Sequence, residues 1–459
     1  MFNLNIHNFR SFQNQNFSFK RINILIGENS GGKSSLLKFL LSLKQTLDSP
    51  YESNLKLRGD YTDLGNYEEV IYKRNKKLKL SFTFSSEGIE YMKYFKEFTS
   101  DIGRLEKEGE SFKEFLRDIT EGKTSVSFEI NSKLGDHSSI VSNIENSQIG
   151  KIKVTTKKIN TTENTRSFNS DISFTLNNEI SGKIENCLSV KQGFFTLFDW
   201  SLRRSIEENF KHQSNEIYNS ILYLLVYQNY ISDLLDDIKF VNPIGSPPRR
   251  FYFQEDKKAN YTQIDIGTFI NTLGSSISTR ELKSRISNLN KLIKNFGIAE
   301  EIELIKDPKI PVIALNVKTK EFWSNITDVG YGVSLQIPIL FQALLSEHTK
   351  KGQTLLIEQP EVHLHPFLQA KFIETLLSIG NKNNYFIETH SEHIIRKLQI
   401  LIKNKTFDLK HSDISIYYFR RIEDKFEISE HTINQFGKLN TNFPSGFYDT
   451  SYSLIKELL

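Results

Sequence analysis

The sequence predicts an α/β protein with a mixed or parallel central sheet and an α+β insertion, and three observations predict it. An apolar run, Ile22–Ile26, leads into a glycine-rich turn and then leucines at helical spacing. Two further apolar runs, Thr354–Ile357 and Tyr385–Ile387, end on Glu358 and on Thr389-His390, and Pro366 starts a helix between them through Leu368, Phe372 and Leu376. That is a β-α-β unit with a right-handed crossover. Between residues 123 and 186, finally, short alternating runs broken by Asn, Gly and Ser read as the strands of an insertion.

The first of these regions carries the chemistry. Gly27-Glu28-Asn29-Ser30-Gly31-Gly32-Lys33-Ser34 fits G-x-x-x-x-G-K-[ST], the phosphate-binding loop. Glycines let successive backbone N–H groups curl around a phosphate, Lys33 offers a point charge to the β/γ oxygens, and the Ser34 hydroxyl is placed to ligate Mg2+. Gly27, Asn29, Ser30, Gly31, Gly32, Lys33, Ser34 and Ser35 are therefore the candidate nucleotide ligands. Leu36, Leu37, Leu40, Leu41, Leu43 and Leu47 recur at helical spacing, so a helix N-terminus points its dipole at the anion. The expected ligand is a nucleoside triphosphate.

Composition sets the outer limits. The chain of 459 residues can hold two or three domain-sized units. Its 59 Lys+Arg against 55 Asp+Glu give +4, which neither requires nor excludes nucleic acid. The basic clusters at 73–79 and 151–158 read as solvated strand edges or loops. A single Cys187 excludes an internal disulfide and fits a reducing cytoplasm. Met1-Phe2-Asn3 runs straight into a strand pattern, so no secretory leader is expected, and the apolar run near Ile221–Tyr227 stops at Gln228, far short of a membrane span. The expectation is a cytoplasmic protein without a membrane partner.

In chain order, strands are expected at Phe2–Asn8 and Ile22–Ile26, then the phosphate-loop helix up to Asp48-Ser49-Pro50, and a strand at Lys77–Phe84. Residues 87–122 read as charged and helical. In the insertion, Val126/Phe128/Ile130, Ile152/Val154 and Ile172/Phe174/Leu176 are the clearest strand signals, and 159–170 reads as a loop. Helical periodicity covers Leu197–Ile238; Pro243, Gly245, Pro247 and Pro248 interrupt it, and 268–306 is again helical. Strands at Ile414–Phe419 and Lys425–Glu430 and a terminal helix close the chain.

A phosphate loop needs a carboxylate at the end of a neighbouring strand to hold Mg2+ through water, and Glu358 supplies it. Asp328-Val329-Gly330-Tyr331-Gly332-Val333-Ser334 precedes an expected helix Gln336–Leu345 and forms a second anion-binding helix start. His363 and His365 lack further Cys or His at ligand spacing and read as structural.

GENSGGKSS, DVGYGVS, LLIEQPEVHLHP and FIETHSEH in this order resemble the SMC/RecF/OLD-like branch of ABC ATPases, and among them the standalone predicted ATPases, many encoded in anti-phage defence loci. The opening NFRSF and the closing segment Phe443–Tyr448 fit the same group. The resemblance covers about 1–85 and 236–459. It implies a P-loop ABC-type ATPase head with ATP and Mg2+ as cofactors, Glu358 as the Walker B carboxylate, and His390 as the switch histidine that senses the γ-phosphate. Gly330, Gly332 and Ser334 stand at the signature, which caps the nucleotide of the opposite subunit in a head-to-tail dimer.

Two departures stand out. The signature is not Leu-Ser-Gly-Gly-Gln, and the residue after Glu358, where a glutamate usually polarises water, is Gln359. An amide cannot accept a proton at neutral pH but can orient water, and Glu361 is the other nearby carboxylate. Slow turnover is expected, with Gln359, Glu361 and His390 as the catalytic candidates. The expected division is head 1–85, insertion 86–235, head 236–404 with signature, Walker B and switch histidine, and 405–459 completing the head. Only 69 residues follow His390, which leaves no room for the Toprim nuclease domain of OLD-type enzymes. The leading functional expectation is an ATPase that dimerises or forms a higher oligomer on ATP and controls a separate effector, in bacterial defence. The other is a RecF/SMC-like clamp or repair ATPase that binds nucleic acid.

Overall fold

In the computed structural model, the described residues are 2–49, 55–87, 122–130, 140–158, 167–177, 179–192, 195–198, 201–241, 247–253, 263–274, 279–423, 425–441, 443–444 and 456–457. The chain forms two compact units, Met1–Phe19 with Lys38–Asp237, and Lys20–Leu37 with Ile238–Leu459. All but the two end residues of the helical reading 87–122, all of 159–166, Pro243 and Gly245, and most of the closing segment and terminal helix fall outside the described residues.

The first unit is a nine-stranded antiparallel sheet. Its strands are β1 (Asn3–Phe9) and β2 (Phe12–Ser18), then, after β3 (Ile22–Gly27) of the other unit, β4 (Leu80–Ser86), β5 (Thr124–Ile130), β6 (Ile140–Asn146), β7 (Gly150–Lys158), β8 (Ser167–Leu176), β9 (Ile180–Gln192) and β10 (Phe195–Phe198). The order is β10-β9-β8-β7-β6-β5-β4-β1-β2. Strict alternation makes it one-sided: Val126, Phe128 and Ile130 of β5 are buried while Ser125, Ser127 and Glu129 are not. Helix α1 (Lys33–Leu47) contributes Phe39, whose ring meets Phe9 at 4.9 Å and Phe82 at 5.4 Å. Beyond α2 (Ser201–Asn209), the long α3 (Ser214–Asp236) lies across β5, β6 and β7. On the solvent side Lys151 of β7 sits opposite Glu145 of β6, so charges of both signs share that face.

Three sequence expectations change here. The segment after Phe9 is not a plain connection but half of a hairpin: β2 reads Phe-Gln-Asn-Gln-Asn-Phe-Ser, and only Phe12 and Phe17 of it are buried, too sparse a pattern to announce a strand. Residues 167–170 of the expected loop belong to β8. The boundary expected at 85–86 falls at the end of β4, whose neighbour in the sheet is β5.

The second unit holds a seven-stranded sheet in the order β13-β11-β17-β18-β3-β19-β20. It comprises β3, β11 (Ile238–Val241), β13 (Gln263–Ile264), β17 (Thr354–Glu358), β18 (Asn384–Glu388), β19 (Ile414–Ile422) and β20 (Lys425–His431). Every pair is parallel except β19–β20, so the sheet is mixed, as expected. All six positions of β3 are buried, the mark of a strand covered on both faces. Helices α4 (Ile266–Gly274), α5 (Thr279–Phe296), α6 (Tyr331–Glu347), α7 (Pro366–Ser378) and α8 (Glu392–Lys403) surround it. One core joins Ile24 and Ile26 of β3, Ile357, Ile387, Phe341 of α6, Phe372 of α7 and Ile395 of α8. A small antiparallel sheet of β12 (Tyr252–Phe253), β14 (Glu301–Lys306), β15 (Val312–Thr319) and β16 (Phe322–Asn325) completes the unit. Among the described residues no helix is long and apolar enough to cross a membrane.

Two corrections follow in this unit. The helical reading of 268–306 gives way at its end to β14, in which Ile302 alone is fully buried and charged residues alternate with or flank the apolar ones. Helix α6 begins at Tyr331 rather than Gln336 and carries Pro338 inside it. Gly330, Gly332 and Pro338 lower the helix propensity of its first two turns, and burial of Ile337, Ile339, Leu340 and Phe341 outweighs them.

Candidate active site

The phosphate loop is shaped from both ends. Gly27, at φ 129°, could not be any other residue: a Cβ there would lie 1.9 Å from the Phe419 carbonyl oxygen. The Glu28 N–H donates to that same oxygen at 2.9 Å, pinning the loop entrance to β19. Ser30 at φ 61° and Gly32 at φ 104° then reverse the chain into α1, with Asn29 and Ser30 exposed at the tip. Ser35 donates its N–H to the Gly32 carbonyl at 3.0 Å, in the first turn.

Lys33 is 4% exposed, and its Nζ donates to the Gly27 and Glu28 carbonyls at 2.9 and 2.7 Å. Burial lowers its pKa below that of an ordinary lysine, opposed by the charges of Glu388, Glu28 and Glu361. The Ser34 hydroxyl donates to Glu388 Oε1 at 2.9 Å.

The sheet order explains that contact. Glu358 was expected at the end of a strand neighbouring the phosphate loop, but on that side of β3 the neighbour is β18, and β17 lies one further out. Glu358 and Glu388 are register partners at the ends of β17 and β18, so two carboxylates stand side by side. Glu388 is 3% exposed. Sequence reasoning missed it; the signal was an acid ending an apolar strand, the same feature that singled out Glu358.

After β17 the chain turns sharply. Gln359 takes φ 43° and donates its N–H to the Glu388 carbonyl at 2.7 Å. Two turns follow, Val362 N–H to the Gln359 carbonyl and Leu364 N–H to the Glu361 carbonyl. The reversal carries Glu361 back to the end of β18, where its Oε1 accepts the His390 N–H at 2.6 Å. Burial raises the Glu361 carboxyl above the usual carboxylate range, against the opposing effects of the His390 N–H, Thr389 and Lys33. The His390 ring is solvent-accessible; partial desolvation and the Lys33 charge lower its pKa. Lys33, Ser34, Glu388, Glu361 and His390 are thus joined by hydrogen bonds and charge, and Glu358 by strand register.

Gly330, Gly332 and Ser334 sit apart from these, at the start of α6. Gly330 is its N-cap and is exposed, Gly332 is packed so that a Cβ would lie 2.8 Å from the His363 carbonyl, and Ser334 Oγ donates to the Tyr331 carbonyl at 2.7 Å. Gln336 Nε2 donates to the Pro360 carbonyl at 2.7 Å, tying α6 to the loop after β17. Arg250 grips Asp328 with both guanidinium nitrogens, at 2.7 and 3.1 Å, just before this helix. His365 accepts the Phe367 N–H as the N-cap of α7, a structural task.

The donor set suits magnesium. Ser34 and the carboxylates of Glu358 and Glu388 are hard oxygen donors, and among the described residues no group of three or more His, Cys, Asp or Glu gathers as a closed metal cage. A few protein oxygens completed by phosphate is how Mg2+ is usually held.

Known proteins place the chain as follows. The sequence matches the AAA ATPase domain over residues 1–395, and residues 409–458 match a family described as a protein of unknown function (DUF3696). No curated protein matches the chain. Among solved structures it is similar to an SMC head bound to the C-winged helix domain of ScpA, at 10% identity over 94% of this chain and 97% of that one, TM-score 0.41. It is similar also to the SMC head domain from Thermotoga maritima, at 9% identity over 93% and 97%, TM-score 0.38. A third is an SMC head domain with an extended coiled coil bound to the C-terminal domain of ScpA derived from Pyrococcus furiosus, at 9% identity over 100% of both chains, TM-score 0.39. The family match spans most of the sequence and agrees with the motifs: the chain belongs to the AAA ATPase domain family.

Proposed function

We propose that this protein binds ATP with Mg2+ at the phosphate loop and hydrolyses it slowly, with Glu361 as the general base. The observation that carries the reading is the 2.6 Å bond from the His390 N–H to Glu361 Oε1, which sets a carboxylate of raised pKa within the field of Lys33. Lys33 exchanges the Gly27 and Glu28 carbonyls for β- and γ-phosphate oxygens. Ser34 and Glu358 hold the cation, which neutralises phosphate charge. Glu361 takes a proton from water as the water oxygen bonds to the γ-phosphorus and the bond to the β,γ-bridging oxygen breaks, giving ADP and phosphate. Gln359 cannot take that proton, and one oxygen of Glu361 is already engaged, so turnover is slow, on the order of one per minute or less.

The motif resemblance supports the remainder of the reading. Two copies close head to tail around ATP, each offering the N-terminal end of α6 at Gly330 to the partner's γ-phosphate, and the closed state controls a separate effector, in anti-phage defence. Calorimetric titration with ATP and Mg2+, followed by phosphate release, tests the core of this; a wild-type protein that binds no ATP removes it.

A further inference from the structure

We propose that Glu388 is a second carboxylate of the divalent-cation site, which holds the Ser34 hydroxyl when no cation is bound and joins Ser34 and Glu358 around the cation when one is. The inference rests on the nucleotide reading above and adds a residue to it.

The topology makes Glu388 the nearer of the two acids. β18 lies between β17 and β3, so of the two acid-bearing strands β18 is the one that borders the phosphate-loop strand. Tyr385, Phe386 and Ile387 before it are buried, and Glu388 itself is 3% exposed. A carboxylate in such a place costs several kcal/mol unless charge or hydrogen bonds compensate it. Ser34 meets it at 2.9 Å, and Lys33 lies close enough for the Glu388 charge to act on it. Ser34 is the phosphate-loop hydroxyl whose task is to ligate the cation.

The hydrogen-bond distance also fits a shared cation. Oxygen ligands at about 2.0–2.1 Å on adjacent corners of an octahedron stand about 2.9 Å apart. The Ser34 Oγ to Glu388 Oε1 separation of 2.9 Å equals that edge. A cation can therefore take both oxygens with little rearrangement, the hydroxyl proton turning away from Glu388. Glu358, the register partner of Glu388, stands at the end of the next strand out.

Glu388→Gln keeps the side-chain length and an oxygen for Ser34 while removing the charge. Wild type and variant are loaded with a non-hydrolysable ATP analogue and titrated with Mn2+, free Mn2+ being read by electron paramagnetic resonance. The Mn2+ dissociation constant rises at least about tenfold in Glu388→Gln, or about 1.4 kcal/mol. Affinity for the analogue without metal does not fall, because the phosphate ligands are intact and the variant removes a negative charge beside them. Mn2+ affinity within about twofold of wild type overturns the inference and leaves the nucleotide reading standing. A wild type that binds no analogue overturns both. Should Glu388→Gln fail to fold by circular dichroism, Glu388→Asp retains the charge but withdraws it by one methylene. Mn2+ binding weakened at least about threefold then supports the assignment, and unchanged binding overturns it.

Discussion

The backbone N–H of His390 donates to Glu361 Oε1 at 2.6 Å. Two turns that follow adjacent strands, β17 and β18, are thereby fastened to each other by a hydrogen bond to a charged group. Such a bond contributes about 1.5–3 kcal/mol. Glu361→Ala removes the acceptor and lowers the unfolding free energy by about 1.5 kcal/mol or more. His390→Ala keeps the donating N–H and changes it by less than about 0.5 kcal/mol. Urea titrations of the two variants check the contrast.

Turnover has an acid limb set by Glu361. Burial raises its carboxyl above the ordinary glutamate value of 4.5. A general base works only when ionised, so activity falls as pH falls through that raised value and is present above it. A pH profile of kcat/KM, with folding followed in parallel, should place the acid limb clearly above 4.5. A profile flat down to that value contradicts the assignment.

Lys33→Ala removes the buried ammonium that replaces loop carbonyls with phosphate oxygens. ATP affinity falls at least about tenfold, or about 1.4 kcal/mol, by calorimetry. Unchanged affinity would mean that the loop is not the nucleotide site.

Two glycines give opposite results. Gly27→Ala drives a Cβ to 1.9 Å from the Phe419 carbonyl, so the loop entrance must distort, at a cost of about 3 kcal/mol or more, and nucleotide binding is lost. Gly330 has nothing within 4 Å of its added Cβ and a φ of −55° that any residue adopts. Gly330→Asp puts a good N-cap on α6 and leaves the monomer stable, yet aims a negative charge where a partner's γ-phosphate would dock. ATP-dependent doubling of mass by light scattering should occur in wild type and vanish in Gly330→Asp, with ATP binding retained. Wild type that stays monomeric with ATP and Mg2+ refutes the head-to-tail pair.

The parts of the fold legible in the sequence were those whose signal is local and apolar. β3, β17 and β18 are uninterrupted hydrophobic runs, and Pro366 marks the start of α7. β2 escaped because its two buried residues, Phe12 and Phe17, are separated by polar ones, and the start of α6 escaped because Gly332 and Pro338 lower its propensity while burial overrides them. The site shows the same division. The phosphate-loop spacing names Lys33 and Ser34 outright. Glu388 depends on which strand lies beside β3, and a sequence does not state strand order. The left-handed turn at Gln359, which swings Glu361 to His390, is equally invisible to a reading that assigns roles by position after Glu358.

The central claim is that Glu361, rather than Gln359, takes the proton from water. Steady-state phosphate release from wild type, Glu361→Gln and Gln359→Glu tests it, with ATP affinity measured alongside. Glu361→Gln should lower turnover at least about a hundredfold while ATP affinity stays within about threefold, and Gln359→Glu should change turnover by less than about threefold. Turnover in Glu361→Gln equal to wild type, or a large gain in Gln359→Glu, would contradict it.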